Sequence, residues 1–154
     1  MSGKASRISS LWSGVDPRGR DVRYAAYFHH FNRGDFYEAH DVLESLWLEG
    51  GRGAPSALFF QGLIQLAGGF VHLRKHFENP EHRVHRERLA PAYRLLELAE
   101  KNMKGYGKTW EGVSVEALCQ LATEWRRKLD SKKFQHNPWS PGARVTLSQP
   151  TPPT

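Results

Sequence analysis

Apolar positions recur along the chain at steps of three and four, and alternation at steps of two is absent over any useful length, so the pattern predicts helices rather than strands. A first helix fits Arg20–Phe31, with Val22, Ala25, Ala26, Phe28 and Phe31 toward a core. Asn32-Arg33-Gly34 closes it, because Asn and Gly tolerate the left-handed backbone found at helix ends. Asp35 opens a second helix that runs to about Leu48, with Glu38 placed to complete an aspartate version of the capping box. Past the glycine-rich turn at 49–53, Pro55 suits the first turn of a third helix, Pro55–His76, the most apolar of the set. Gly68 and Gly69 inside it cost about 1 kcal/mol each against alanine, a loss that close approach of another helix would offset. Asn79-Pro80 marks the start of a fourth helix ending near Met103, and Ser114 can cap a fifth that ends near Leu129. The expected fold class is all-α, a compact bundle of about five helices with a Pro-rich C-terminal arm.

The two ends read differently. Residues 1–17 form an expected flexible N-terminal segment, 18–134 the helical bundle domain, and 135–154 an extended or disordered tail. From Asn137 onward the tail carries five prolines and few large apolar groups, a composition that resists compact folding. Trp139 and Val145 are the residues best suited to pin it to the body.

Within the helices one polar pattern stands out. On the second helix His40, Glu44 and Trp47 share a face, flanked by Phe36 and Leu43. On the third, Gln61, Gln65, His72 and His76 form a stripe at steps of four, seven and four, with Gly68 and Gly69 along the same side. Buried polar groups need partners, and a short turn makes these helices antiparallel neighbours, so the two stripes are expected to face each other across a cleft. His40 and Glu44 at i, i+4 can share a divalent metal ion or a proton, with His72 as third ligand and His76 behind it. In the catalytic version His40 and Glu44 carry the chemistry, glutamate acting as general base on water. Gln61 and Gln65 would hold a ligand; Trp47 as a platform and the Tyr24 hydroxyl reaching in from the first helix are the alternatives to plain core packing of both, which is the commoner role for such residues. A histidine–glutamate pair completed by glutamines is equally a self-satisfied structural network, and the sequence leaves both readings open.

Composition narrows the class. The chain has 154 residues and one cysteine, which excludes an internal disulfide framework and a cysteine-based structural zinc site. Cys119 reads as a buried, inert thiol. No run of eighteen apolar residues predicts a membrane span and no secretory signal pattern opens the chain, so a cytoplasmic location is expected. Net charge is +6, yet the stretch 35–81 is net acidic and the rest basic. Arg83, Arg86 and Arg88, then Arg126, Arg127 and Lys128, are the densest basic clusters. They read first as a solvated face and only second as a weak anion or nucleic-acid surface, since no zinc finger, phosphate loop, GxSxG or HExxH accompanies them. A small ligand and a homo-oligomer are the other expected partners, the latter because the apolar third helix and five tryptophans exceed what one small bundle readily buries.

The run FNRGDFYEAHDVLESLW at 31–47, followed by FFQGLIQLAGGFVHLRK at 59–75, resembles the DUF309 family, an uncharacterised group of small helical proteins. The similarity covers about residues 20–103. The family signature of His, three residues, Glu, two residues and an aromatic is complete here in His40, Glu44 and Trp47. Asp41 stands where the family often has glutamate. The resemblance implies a small helical protein whose signature residues have been suggested to bind metal.

Overall fold

A computed structural model describes residues 8–82 and 87–154. Five helices dominate the described residues: α1 Val22–Asn32, α2 Phe36–Gly50, α3 Ala57–Glu78, α4 Leu89–Met103 and α5 Val115–Ser131. Each packs on the next in sequence, and α3 is gripped by α2 on one side and α4 on the other. The architecture is the expected all-α bundle.

The core follows the apolar spacing. Phe36 stacks on Phe70 with ring centres 5.2 Å apart, and Phe31 and Trp125 meet Phe70 edge-on at 5.6 Å and 5.2 Å. Such edge and offset contacts suit the quadrupoles of aromatic rings. Tyr27 is wholly buried and donates its hydroxyl proton to the Leu63 carbonyl at 2.6 Å, so its polar end is satisfied across the α1–α3 contact. Gly68 and Gly69 do mark the close approach of another helix: a Cβ at Gly69 would lie 2.9 Å from Leu96 Cδ2, and one at Gly68 would lie 3.2 Å from Leu95 Cδ1. Removing two Cβ atoms lets α4 settle onto α3.

Helix ends agree in part with the spacing. Ser114 Oγ accepts from the Ala117 amide at 3.0 Å, a side-chain cap at the start of α5. Asp35 occupies the cap position of α2 but makes no side-chain cap hydrogen bond, so the expected capping box is not formed. The α4 helix begins at Leu89 rather than at Pro80: residues 80–82 are turn and bend. Arg83, His85 and Arg86 lie outside the described residues.

Between α4 and α5 the chain forms a two-stranded antiparallel hairpin, β1 Thr109–Trp110 and β2 Val113–Ser114, with Trp110 opposite Val113. Its two-residue loop, Glu111-Gly112, has φ of +49° and +75°, the sign at both positions that a type I′ turn requires. The helical spacing gave no sign of this element, because strands of two residues are too short to show alternation.

The last residues run extended over the bundle. Trp139 and Val145 are buried, Trp139 edge-on to Phe36 at 6.0 Å. Asn32 and Leu147 exchange two hydrogen bonds, Asn32 Nδ2 to the Leu147 carbonyl at 2.8 Å and the Leu147 amide to Asn32 Oδ1 at 2.6 Å. Near the other end, the Leu11 carbonyl accepts from His30 Nε2 at 2.7 Å. No helix of the described residues is long and apolar enough to cross a membrane.

Candidate functional site

His40 sits on α2 with its side chain about one-third exposed. Its Nδ1 lies 3.2 Å from Asp41 Oδ1, whereas its Nε2 lies 4.0 Å from Glu44 Oε2, too far for a hydrogen bond. The ring lies nearly parallel to Tyr37, centroids 6.4 Å apart, and its Cδ2 edge faces Gly68 of α3, 4.0 Å from where a Cβ would stand. His40 thus stands beside α3 at the level of Gly68.

The α3 stripe finds other partners. Gln65 Oε1 accepts from Asn102 Nδ2 of α4 at 2.8 Å. His72 Nδ1 accepts from the Arg88 guanidinium at 2.8 Å. Burial first, then the neighbouring Arg88 and Lys75 charges, lower its pKa to about 4, so the imidazole is neutral at pH 7. Asn137 of the tail donates to the Leu73 carbonyl at 2.8 Å and stands 3.2 Å from His76 Nδ1; burial also holds His76 below the usual histidine value. Gln61 is half-buried on the same strip, and Trp47 is half-buried against the core. The polar residues of α3 therefore divide among α4, the start of α4 and the tail, rather than turning together toward α2.

That division bears on the metal expectation. Among the described residues no three of His, Cys, Asp and Glu gather into a group that could hold a metal ion, so His40, Glu44 and His72 do not form the expected triad. The physical reason is that the Nδ1 lone pair of His72 is taken by a guanidinium, and the cation there opposes a second cation.

Tyr24 is also placed differently from the expectation. It is buried, and its hydroxyl donates to the Glu111 carbonyl at 2.8 Å. Burial drives its pKa far above the ordinary tyrosine value, so it stays protonated as a donor. Instead of reaching a cleft between α2 and α3, it joins a clasp around the hairpin loop. Glu111 accepts from Ser56 Oγ at 3.0 Å with one carboxylate oxygen and from Arg20 Nη1 at 3.1 Å with the other. Trp110 Nε1 donates to Ser56 Oγ at 2.9 Å, and Arg20 Nε donates to the Thr151 carbonyl at 2.8 Å. The Thr151 amide returns to the Gly112 carbonyl at 3.0 Å. The carboxylate thereby joins the hairpin to the approach to α1 and to the start of α3, and Arg20 with the Gly112 carbonyl carries the link on to the tail. Sequence reasoning missed this hub, since Arg20 and Tyr24, Ser56, the hairpin and Thr151 are far from one another in the chain.

A ligand-sized concavity of about 410 Å³ does lie between α2 and α3, but at the start of one and the end of the other. Tyr37, Glu38, Val71, Arg74 and Lys75 are among its walls, and neither His40, Glu44, Gln65 nor His72 is. Of the basic clusters, Arg126 is bonded to Glu100 and Lys128 is paired with Glu124 at 3.4 Å, which neutralises much of the charge a phosphate backbone would need.

Fold and site together define a small helical bundle whose polar stripe is divided among several neighbours. Residues 24–83, from α1 through α3, match the family model described as Domain of unknown function (DUF309). No curated protein and no solved structure matches the chain.

Proposed function

We propose that this is a non-enzymatic structural or interaction protein of the cytoplasm, in which the histidine, glutamate and glutamine residues of α2 and α3 stabilise helix packing. One observation carries the reading: four polar residues of the stripe each have a partner of their own, and none of those partners is shared. His40 meets Asp41, Gln65 meets Asn102, His72 meets Arg88, and His76 meets Asn137. A hydrolytic site needs its base, its water-orienting group and its electrophile to converge on one point within hydrogen-bond reach. A set spread over four separate contacts instead resembles a satisfied network, which fixes helix register.

The test combines metal analysis with thermal and urea unfolding. Purified protein is expected to carry divalent metal well below one equivalent. Gln65→Ala is expected to lower stability by about 1 kcal/mol, the typical worth of a partly buried hydrogen bond. A full equivalent of metal that His40→Ala removes without shifting the unfolding midpoint would overturn the proposal.

A further inference from the structure

We infer that the open face formed by α2, α3 and α4 is a two-fold interface between two copies of this chain; the inference rests on the reading that the polar stripe is structural and leaves that face free for a partner. Five large apolar side chains stand exposed among the described residues, and four of them lie here: Tyr37 and Leu48 of α2, Leu58 of α3 and Leu98 of α4. The fifth, Phe77, lies instead against Trp139. Contacts fix the face. Leu58, Gln65, Gly68 and His72 share one strip of α3, and Gly68 is flanked by His40 on one side and Leu95 on the other. Leu98 stands three residues beyond Leu95 and four before Asn102, the partner of Gln65. Tyr37, Glu44 and Leu48 continue the His40 side of α2 by three- and four-residue steps. Half-buried amides between exposed leucines and a tyrosine resemble the centre of a protein interface more than a solvated surface.

Charge selects the occupant and the symmetry. The α2 edge carries Glu44, whose side chain is 40% exposed. The outer edge of α4 carries Arg94 and Lys101, both exposed, while Glu97 of that helix turns to Arg126 at 4.0 Å. Both α2 and α4 run antiparallel to α3 and therefore parallel to each other. A two-fold axis along α3 lays α2 of each copy over α4 of the other, so acid meets base at both walls at once. An axis across α3 would set α2 on α2 and α4 on α4, like charge on like. Only the first arrangement is complementary, and an isologous contact repeats every such pair twice. The α3 strips then face each other, Leu58 against its own copy and Gln61 against the other Gln61, whose amide can both donate and accept.

Sedimentation velocity of the full chain tests this. The wild type is expected to sediment at twice its 17.6 kDa mass. Leu58→Glu with Leu98→Glu is expected to give a monomer of unchanged helical circular dichroism. Phe77→Glu, outside the face, is expected to leave the dimer intact. Glu44→Lys is expected to weaken association about tenfold, and Arg94→Glu with Lys101→Glu added to it to restore the loss. A monomeric wild type overturns the inference, as does a dimer indifferent to Leu58 and Leu98 or dissociated by Phe77→Glu alone. Metal analysis of the same samples separates the two ideas: a metal-free monomer sinks only the interface, whereas an equivalent of metal sinks the structural reading beneath it.

Discussion

Glu111 draws its partners from positions 55, 87 and 91 residues away in the chain, through Ser56, Tyr24 and Arg20. His40 finds its nearest carboxylate on the adjacent residue, and its helical neighbour Glu44 stands beyond hydrogen-bond reach. Both regions are polar and both adjoin the aromatic core, yet they differ in what they hold together. The clasp ties four separate parts of the chain around one hairpin loop. The stripe makes several independent contacts, each half-open to water. A bidentate, cross-linked carboxylate in a partly buried setting contributes more than isolated pairs that water can replace. The teaching is that a polar residue on a conspicuous stripe is not thereby the one on which the structure depends.

This contrast can be broken in four ways, in falling order of effect. Glu111→Ala takes the acceptor from the Ser56 hydroxyl and the carboxylate from Arg20, leaving each with one partner, Trp110 and Thr151, and should lower unfolding free energy by about 2–4 kcal/mol, measured by urea denaturation. Gly112→Ala should cost about 1–3 kcal/mol. Its φ is +75°, and a Cβ there would lie 2.6 Å from the Thr151 carbonyl oxygen and 2.8 Å from Arg20 Nη2. Hydrogen exchange should speed up first at the Thr151 amide, whose acceptor is the Gly112 carbonyl.

The third effect is a pH dependence. The folded pKa of His72 is lowered, to about 4, against about 6.5 for an unperturbed histidine. Between those values the unfolded chain binds the extra proton, so this contribution is complete above about pH 6.5 and lost as pH falls toward 4. Because the ring is only partly buried, screening reduces the effect to about 1 kcal/mol. His72→Gln should flatten that part of the stability profile. The smallest effect is His40→Ala, about 0.5 kcal/mol or less, since its hydrogen bond is to the adjacent residue and is open to water. If His40→Ala cost more than Glu111→Ala, the ranking of the two regions would be reversed.

Helical spacing carried much of the architecture. The five helices, the Ser114 cap and the approach of α4 at Gly68-Gly69 all follow from residues within one turn of each other, where local periodicity has information. Failures lie where distance along the chain is large or the element is short. Pro80 suggested a helix start, but the turn continues through residue 82 and α4 begins at Leu89, with Pro91 in its first turn. Glu-Gly is a less common loop than Asn-Gly or Asp-Gly for a tight hairpin, so the turn at 111–112 went unsignalled. Tyr24 shares a face with Phe28 as its spacing says, but a spacing cannot reveal that a hairpin lies opposite. The metal triad failed for a related reason: the wheel shows which side His72 occupies, not that Arg88 takes its lone pair.

The fastening of the tail has a consequence for the order of events on the ribosome. Arg20 and Asn32 bond to Thr151 and Leu147, which lie 131 and 115 residues later. At typical elongation speeds on the order of ten seconds separate the emergence of these partners. Until then α1 packs on α2 and meets α3 through Tyr27 and Phe31, and the tail's hydrogen bonds close over it last.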